Sequence, residues 1–197
     1  MTNDIINHKV NRVSSIDEAK DDCIKTLARM NGISVESAES HFLMLQRRFA
    51  GTCGEEGVIA LLRVAQDLHL EVLANHLAVS RNAKGDIEVS VTYDGWLELV
   101  KRNPEYAGLK FDFSKETECV DGKETFQRVN CRVFRRRPDG NVIDVEWPVF
   151  PEVLNMNNWH HRNEPKQSMM EIAQLNAMQL AFPDIASRIS QATAAAM

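Results

Sequence analysis

Apolar residues recur along the chain at two different periods, and the change of period organises it. Ile16, Ala19, Cys23 and Leu27, and then Val35, Ala38, Phe42, Leu45 and Phe49, return every three or four positions. That spacing places them on one face of a helix. Ser15-Ile16-Asp17-Glu18 fits a capping box and Asn31-Gly32 a helix stop, so a first helix is predicted to open at Ser15 and a second at Ser34. Val58, Leu61, Leu62, Ala65 and Leu68 predict a third helix, from Glu55 to Leu68. Further on the period drops to two. Ile87, Val89, Val91 and Tyr93 alternate with Glu88, Ser90 and Thr92, the pattern of a half-buried strand. Trp96 to Lys101 reads as a short helix, and Leu109, Phe111 and Phe113 as another strand. Phe126–Arg136 and Val142–Val149 flank Pro138-Asp139-Gly140-Asn141, turn chemistry that predicts a β-hairpin. Segment 151–164 is polar and irregular. A long last helix is predicted from Pro165, a favoured first-turn residue, to Phe182.

Helices, then strands, then a helix make an α+β fold: a small antiparallel sheet with a central β-hairpin, flanked by N-terminal helices and a long C-terminal helix. The expected organisation is a flexible arm over 1–13, one domain over 14–185 and an Ala-rich tail over 186–197.

Composition narrows the class. The chain has 197 residues, 44% of them hydrophobic, ordinary for a globular protein. No apolar run approaches the roughly 18 residues of a membrane span, and the polar N-terminus lacks the core of a signal peptide. The reading is therefore cytoplasmic, with no membrane partner. Cys23, Cys53, Cys119 and Cys131 form no C-x-x-C pair, so they read as structural thiols rather than zinc ligands. Net charge is −5, which excludes a chain coated in basic residues and makes the placement of its cations decisive.

The densest basic run is 127–137, with Arg128, Arg132, Arg135, Arg136 and Arg137 and no acid. Strand alternation puts Arg128, Asn130, Arg132, Phe134 and Arg136 on one face and Val129, Cys131 and Val133 on the other. Two readings stand. One is a platform that tracks the backbone of a single nucleic-acid strand and stacks its bases. The other is a solvated sheet face whose arginines pair with Asp144 and Glu146 across the hairpin. A second feature joins Trp159, His160, His161, Arg162, Lys166 and Gln167 at a helix start, where free N–H groups suit phosphate. Simple packing of Trp159 is its plain alternative. Lys101 and Arg102 follow the Trp96 helix, where cations also simply favour a helix C-terminus.

Several chemistries lack their signatures. There is no G-x-x-x-x-G-K-[ST] phosphate loop and no G-x-S-x-G elbow, so neither an ATP-driven motor nor an α/β-hydrolase is expected. No cofactor and no metal is expected. The rivals kept open are a small metal-dependent nuclease using His160, His161 and nearby carboxylates, and a protein-interaction module without a nucleic-acid role.

Several short motifs follow one another over roughly 50–183. They are Val58-Ile59-Ala60-Leu61-Leu62-Arg63-Val64-Ala65, Tyr93-Asp94-Gly95-Trp96, and Asn103-Pro104-Glu105-Tyr106-Ala107-Gly108-Leu109. Next come Cys131-Arg132-Val133-Phe134-Arg135-Arg136, and Trp159 followed by Pro165-Lys166, Ala173 and Leu180-Ala181-Phe182. Taken in this order, they resemble the RecT/Redβ family of phage single-strand annealing proteins. The resemblance implies ATP-independent binding of single-stranded DNA, annealing to a duplex, no covalent chemistry, and homo-oligomers in rings or helical filaments. It also implies a bacterial host cell as the setting and a phage exonuclease as a family-level partner. Lys166 matches a family lysine expected at the DNA backbone. Gln167, Glu171, Ile172 and Gln179 stand where the family tends to carry cations, so the last helix is depleted in charge, and Arg132, Arg135, Arg136 and Arg137 are expected to compensate. An acidic N-terminal half and a basic middle suggest head-to-tail contacts.

Overall fold

The computed structural model describes residues 2–49, 51 and 53–196, with side chains from 16 onward. The architecture is α+β, as the change of period predicts. Among the described residues seven α-helices accompany small antiparallel sheets. Among the described residues no helix is long and apolar enough to cross a membrane. The chain groups into two compact units, 1–92 with 188–197, and 93–187, where the sequence suggested one domain over 14–185. The first unit carries 11 Lys and Arg against 13 Asp and Glu, and the second 12 against 15. The contrast of an acidic N-terminal half with a basic middle is therefore absent at the level of the units.

In the first unit, α1 (Thr2–Asn31), α2 (Val35–Phe49) and α3 (Gly54–Leu68) pack with a hairpin of β1 (Leu77–Arg81) and β2 (Ile87–Val91). Helix α1 takes in the stretch 2–13 expected as an arm and runs through the capping box at Ser15. Ile6, Val10, Val13 and Ile16 explain this, because they extend the three-to-four spacing upstream. Gly32 then ends α1 at φ 61°, a left-handed conformation that costs glycine little. Ser34 caps α2, its hydroxyl accepting from the Ser37 amide at 3.2 Å. The core of this unit gathers Phe42, Leu45, Val58, Leu61, Val64, Val79 and Val89.

The second unit opens with α4 (Tyr93–Lys101), which buries Trp96, Leu99 and Val100. Then come β3 (Tyr106–Phe113), a hairpin of β4 (Thr117–Val120) and β5 (Lys123–Phe126), and the predicted hairpin of β6 (Val129–Arg136) and β7 (Val142–Val149). The main sheet runs β3-β6-β7, antiparallel throughout. Its two margins are irregular: the β3 register shifts between Tyr106 and Gly108, and β7 carries Pro148. After a 3-10 turn at Pro151–Val153 and the short helix α5 (Trp159–Asn163), helix α6 (Pro165–Ala181) lies across the sheet. Pro165, Met169, Ala173, Ala177 and Ala181 recur every four residues and are buried. Small alanines let α6 approach Val129, Cys131 and Val133, none of which is exposed. Burial pushes the Cys131 thiol up to about 12, so it stays neutral and unreactive at ordinary pH. Inside this layer the Tyr93 hydroxyl donates to Gln174 Oε1 at 2.6 Å, giving a buried amide a partner. The last helix, α7 (Pro183–Ala195), covers most of the expected Ala-rich tail.

Candidate nucleic-acid interface

Three places carry the cations singled out from sequence, and their surroundings differ. The first is the face of β6 turned away from α6. Antiparallel register sets Lys110 and Glu146 on either side of Arg132, Asp112 and Pro148 beside Asn130, and Asp144 beside Phe134. Arg132 Nε lies 3.0 Å from Asp112 and 3.5 Å from Glu146, and its Nη1 3.7 Å from Asp144. Lys110 reaches Asp112 at 3.0 Å, and that contact, with Arg132, holds the Asp112 carboxyl below the usual carboxylate range. Asn130 donates to Glu146 at 2.9 Å. Arginine pairing with Asp144 and Glu146, the plain alternative for this strand, is thus present, and Asp112 from β3 joins it. Arg136, at the exposed end of β6, and Arg128 and Arg137, just outside it, stand open to solvent, while Arg132, with its side chain 42% exposed, is held by its acids.

Arg135 belongs to the other face. It follows Val129, Cys131 and Val133 in the alternation and sits at the C-terminal end of α6. Its guanidinium contacts Glu105 at 2.6 Å, donates to the Ala181 carbonyl at 2.6 Å, and lies 5.2 Å from the Phe182 ring centre. A cation at this end of a helix meets the negative end of the dipole and a carbonyl left without an intrahelical partner. The geometry makes Arg135 a clamp between strand and helix.

The third place is the N-terminal end of α6. Pro165 occupies the first turn, and Glu164 makes no side-chain cap to the amides that follow. A groove of about 550 Å³ runs beside it, lined by Lys123, Glu124, Asn163, Glu164, Lys166 and Gln167. The β4–β5 hairpin supplies its other wall. Lys123 donates to the Asn163 carbonyl at 3.1 Å, and Lys166 to Glu124 at 3.0 Å. The Lys166 bond keeps the Glu124 carboxyl below its usual range. This ion pair is open to water, with side-chain exposures of 40% and 64%, and exposed pairs hold weakly. Gln167 is exposed and donates to Glu171 at 3.0 Å. On α5, Trp159 is 65% exposed, and Arg162 is exposed as well. Of the remaining candidates, Arg102 is bound to Glu98 at 2.8 Å along α4, and Lys101 is exposed.

A comparison with known proteins bears on these features. The chain is similar to Recombination protein bet of Escherichia phage lambda. The two are 23% identical over 184 residues, which covers 86% of this chain. The match takes in 66% of that protein, so the chain spans just under two thirds of its relative's length. No family model matches the sequence. The similarity is thus a distant one to a phage recombination protein, and it runs through both units.

The two histidines of the rival nuclease reading turn apart. His161 Nδ1 accepts from the Asn155 amide at 2.9 Å, while His160 spans Glu164 at 3.4 Å and Glu171 at 3.3 Å. Among the described residues, no three His, Cys, Asp or Glu side chains gather in a way that could hold a metal ion. The structure also brings forward residues the sequence reading passed over. Lys123 lines the groove, and Phe113 and Phe126 meet at 4.7 Å between ring centres beside it. The signal for Lys123 was Asp121-Gly122, a strong hairpin turn hidden in a polar stretch.

Proposed function

We propose that this chain binds single-stranded DNA and anneals complementary strands without a nucleotide cofactor. The observation that carries this reading is the similarity to a phage recombination protein along 86% of the chain. The family motifs, in their order, support it from the sequence side. The α6 N-terminal groove supplies a matching chemistry: two lysines and free helix amides where a phosphate would sit. Arg128, Arg136, Arg137, Arg162 and Lys101 extend the contact as exposed cations. Arg132 and Arg135 serve the sheet, and Arg102 serves α4. Trp159 offers an aromatic surface near the groove.

The mechanism needs no energy source other than the DNA. Cations neutralise phosphates and release counterions. Bases remain open to test a second strand, and duplex formation supplies the free energy. Side-by-side assembly of copies on DNA gives cooperativity. A phage exonuclease is the proposed partner, and the bacterial host cell the proposed setting.

The test is annealing of two complementary fluorescent oligonucleotides without ATP or divalent metal. Acceleration well above the spontaneous rate, with strands intact, is the expected result. Binding without acceleration would reduce the reading to a DNA-binding module. Strand cleavage on adding magnesium or manganese would favour the nuclease.

A further inference from the structure

An aromatic ladder lies beside the α6 groove. Phe111 and Phe113, two residues apart on β3, stack with ring centres 5.9 Å apart and planes inclined by 17°. Phe113 meets Phe126 of β5 at 4.7 Å. Lys166 Nζ then stands 5.3 Å from the Phe126 ring centre. Three rings and an ammonium thus follow one another from the margin of the main sheet to the groove. The ladder carries some packing, since it joins the β4–β5 hairpin to β3. Packing alone does not account for Phe113, which stays 43% exposed at its middle. A phenylalanine left so open forgoes much of the stabilisation that burying its side chain supplies.

We infer that Phe113 and the ladder beneath it form a stacking site for a nucleobase of single-stranded DNA, with the adjoining phosphate held by Lys166 and Lys123. This rests on the DNA-binding reading above and names the part of the site that contacts bases. Two properties favour a base as occupant. An aromatic face accepts any of the four bases, which suits annealing of arbitrary sequence. The ring is also continuous with cations: Lys166 is already poised over Phe126, and its partner Glu124 is exposed and displaceable. A phosphate taking the place of Glu124 keeps the ammonium where it is, so base and backbone engage without rebuilding the site.

The experiment compares two probes on three proteins. The probes are an oligothymidylate and an abasic oligomer of the same length, with the same phosphates and no bases. The proteins are the wild type, Phe113→Ala and Phe113→Trp, each checked for a native unfolding transition. The wild type binds the oligothymidylate more tightly than the abasic strand. Phe113→Ala lowers oligothymidylate affinity about tenfold and leaves abasic affinity unchanged, in line with the loss of one stacked base. Phe113→Trp retains affinity, and its added indole fluorescence is quenched by the oligothymidylate alone. Equal loss on both probes, or no loss on either, overturns the stacking site while leaving DNA binding intact. Failure of the wild type to bind either probe overturns the functional reading and this inference with it.

Discussion

The outer face of the β3-β6-β7 sheet and the N-terminal end of α6 look alike in sequence, each a cluster of cations near an aromatic residue. Folded, they differ in what surrounds the charge. On the sheet, Arg132 sits among Asp112, Asp144 and Glu146, drawn from two neighbouring strands. At the helix, Lys166 has one exposed carboxylate partner, Glu124, and faces a groove. A phosphate approaching the sheet would have to compete with three anions already in place. At the groove Lys166 has one such partner, Glu124, with Glu164 also on the lining, and the positive end of the helix dipole assists the phosphate. The lesson is that a run of arginines reports a binding surface only when its neighbours in space, rather than in sequence, leave it open.

Five variants break or sharpen that contrast. The largest effect is expected for Arg135→Ala, which leaves Glu105 and the end of α6 without their cation. Urea unfolding should show a loss of about 2 kcal/mol, because the group is largely enclosed and removing one partner strands the other. Arg136→Ala, one residue on but exposed, should leave the midpoint unchanged. Next comes Lys123→Ala with Lys166→Ala. Affinity for single-stranded DNA should fall about tenfold at low salt, and the slope of affinity against salt should flatten by about two counterions. A variant that binds as tightly as wild type would move the interface elsewhere. The smallest effect is expected for Glu124→Gln, which removes the competing anion and should tighten binding about threefold, the worth of an exposed ion pair. The matching change on the sheet, Arg132→Ala, should alter affinity less than that. The two measured side by side decide which face meets DNA.

Much of the fold was legible because its signals are local. Pro138-Asp139-Gly140-Asn141 fixed the β6–β7 hairpin, and Asp139 does hold the turn through the Asn141 amide at 3.0 Å. Pro165 marked the start of α6. Two hairpins were missed although they carried turn chemistry. In β4–β5, Asp121 and Gly122 both take positive φ, 50° and 77°, as a tight hairpin turn requires. Of its eight strand residues only Thr125 is buried, so no hydrophobic alternation announced it. In β1, Leu77 and Val79 alternate correctly, but over too few residues to stand out. The site was less legible for a different reason. Alternation alone places Arg135 with Val133 and away from Arg132 and Arg136, a distinction that the run of arginines, read as a whole, blurs. The partners of Arg132 depend on the register of β3 against β6, a pairing of residues about 20 positions apart, which no local pattern encodes.

The irregular margins of the main sheet have a consequence for a chain held at high local concentration. An open strand edge is a template, and neighbouring molecules that join through it seldom come apart. Here one margin is broken by the shift at Gly108, where φ is 118°, and the other lacks a donor at Pro148. Backbone zippering between copies is discouraged on both sides. If copies assemble on a strand as proposed, contacts between them would fall to side chains, which let go as readily as they form.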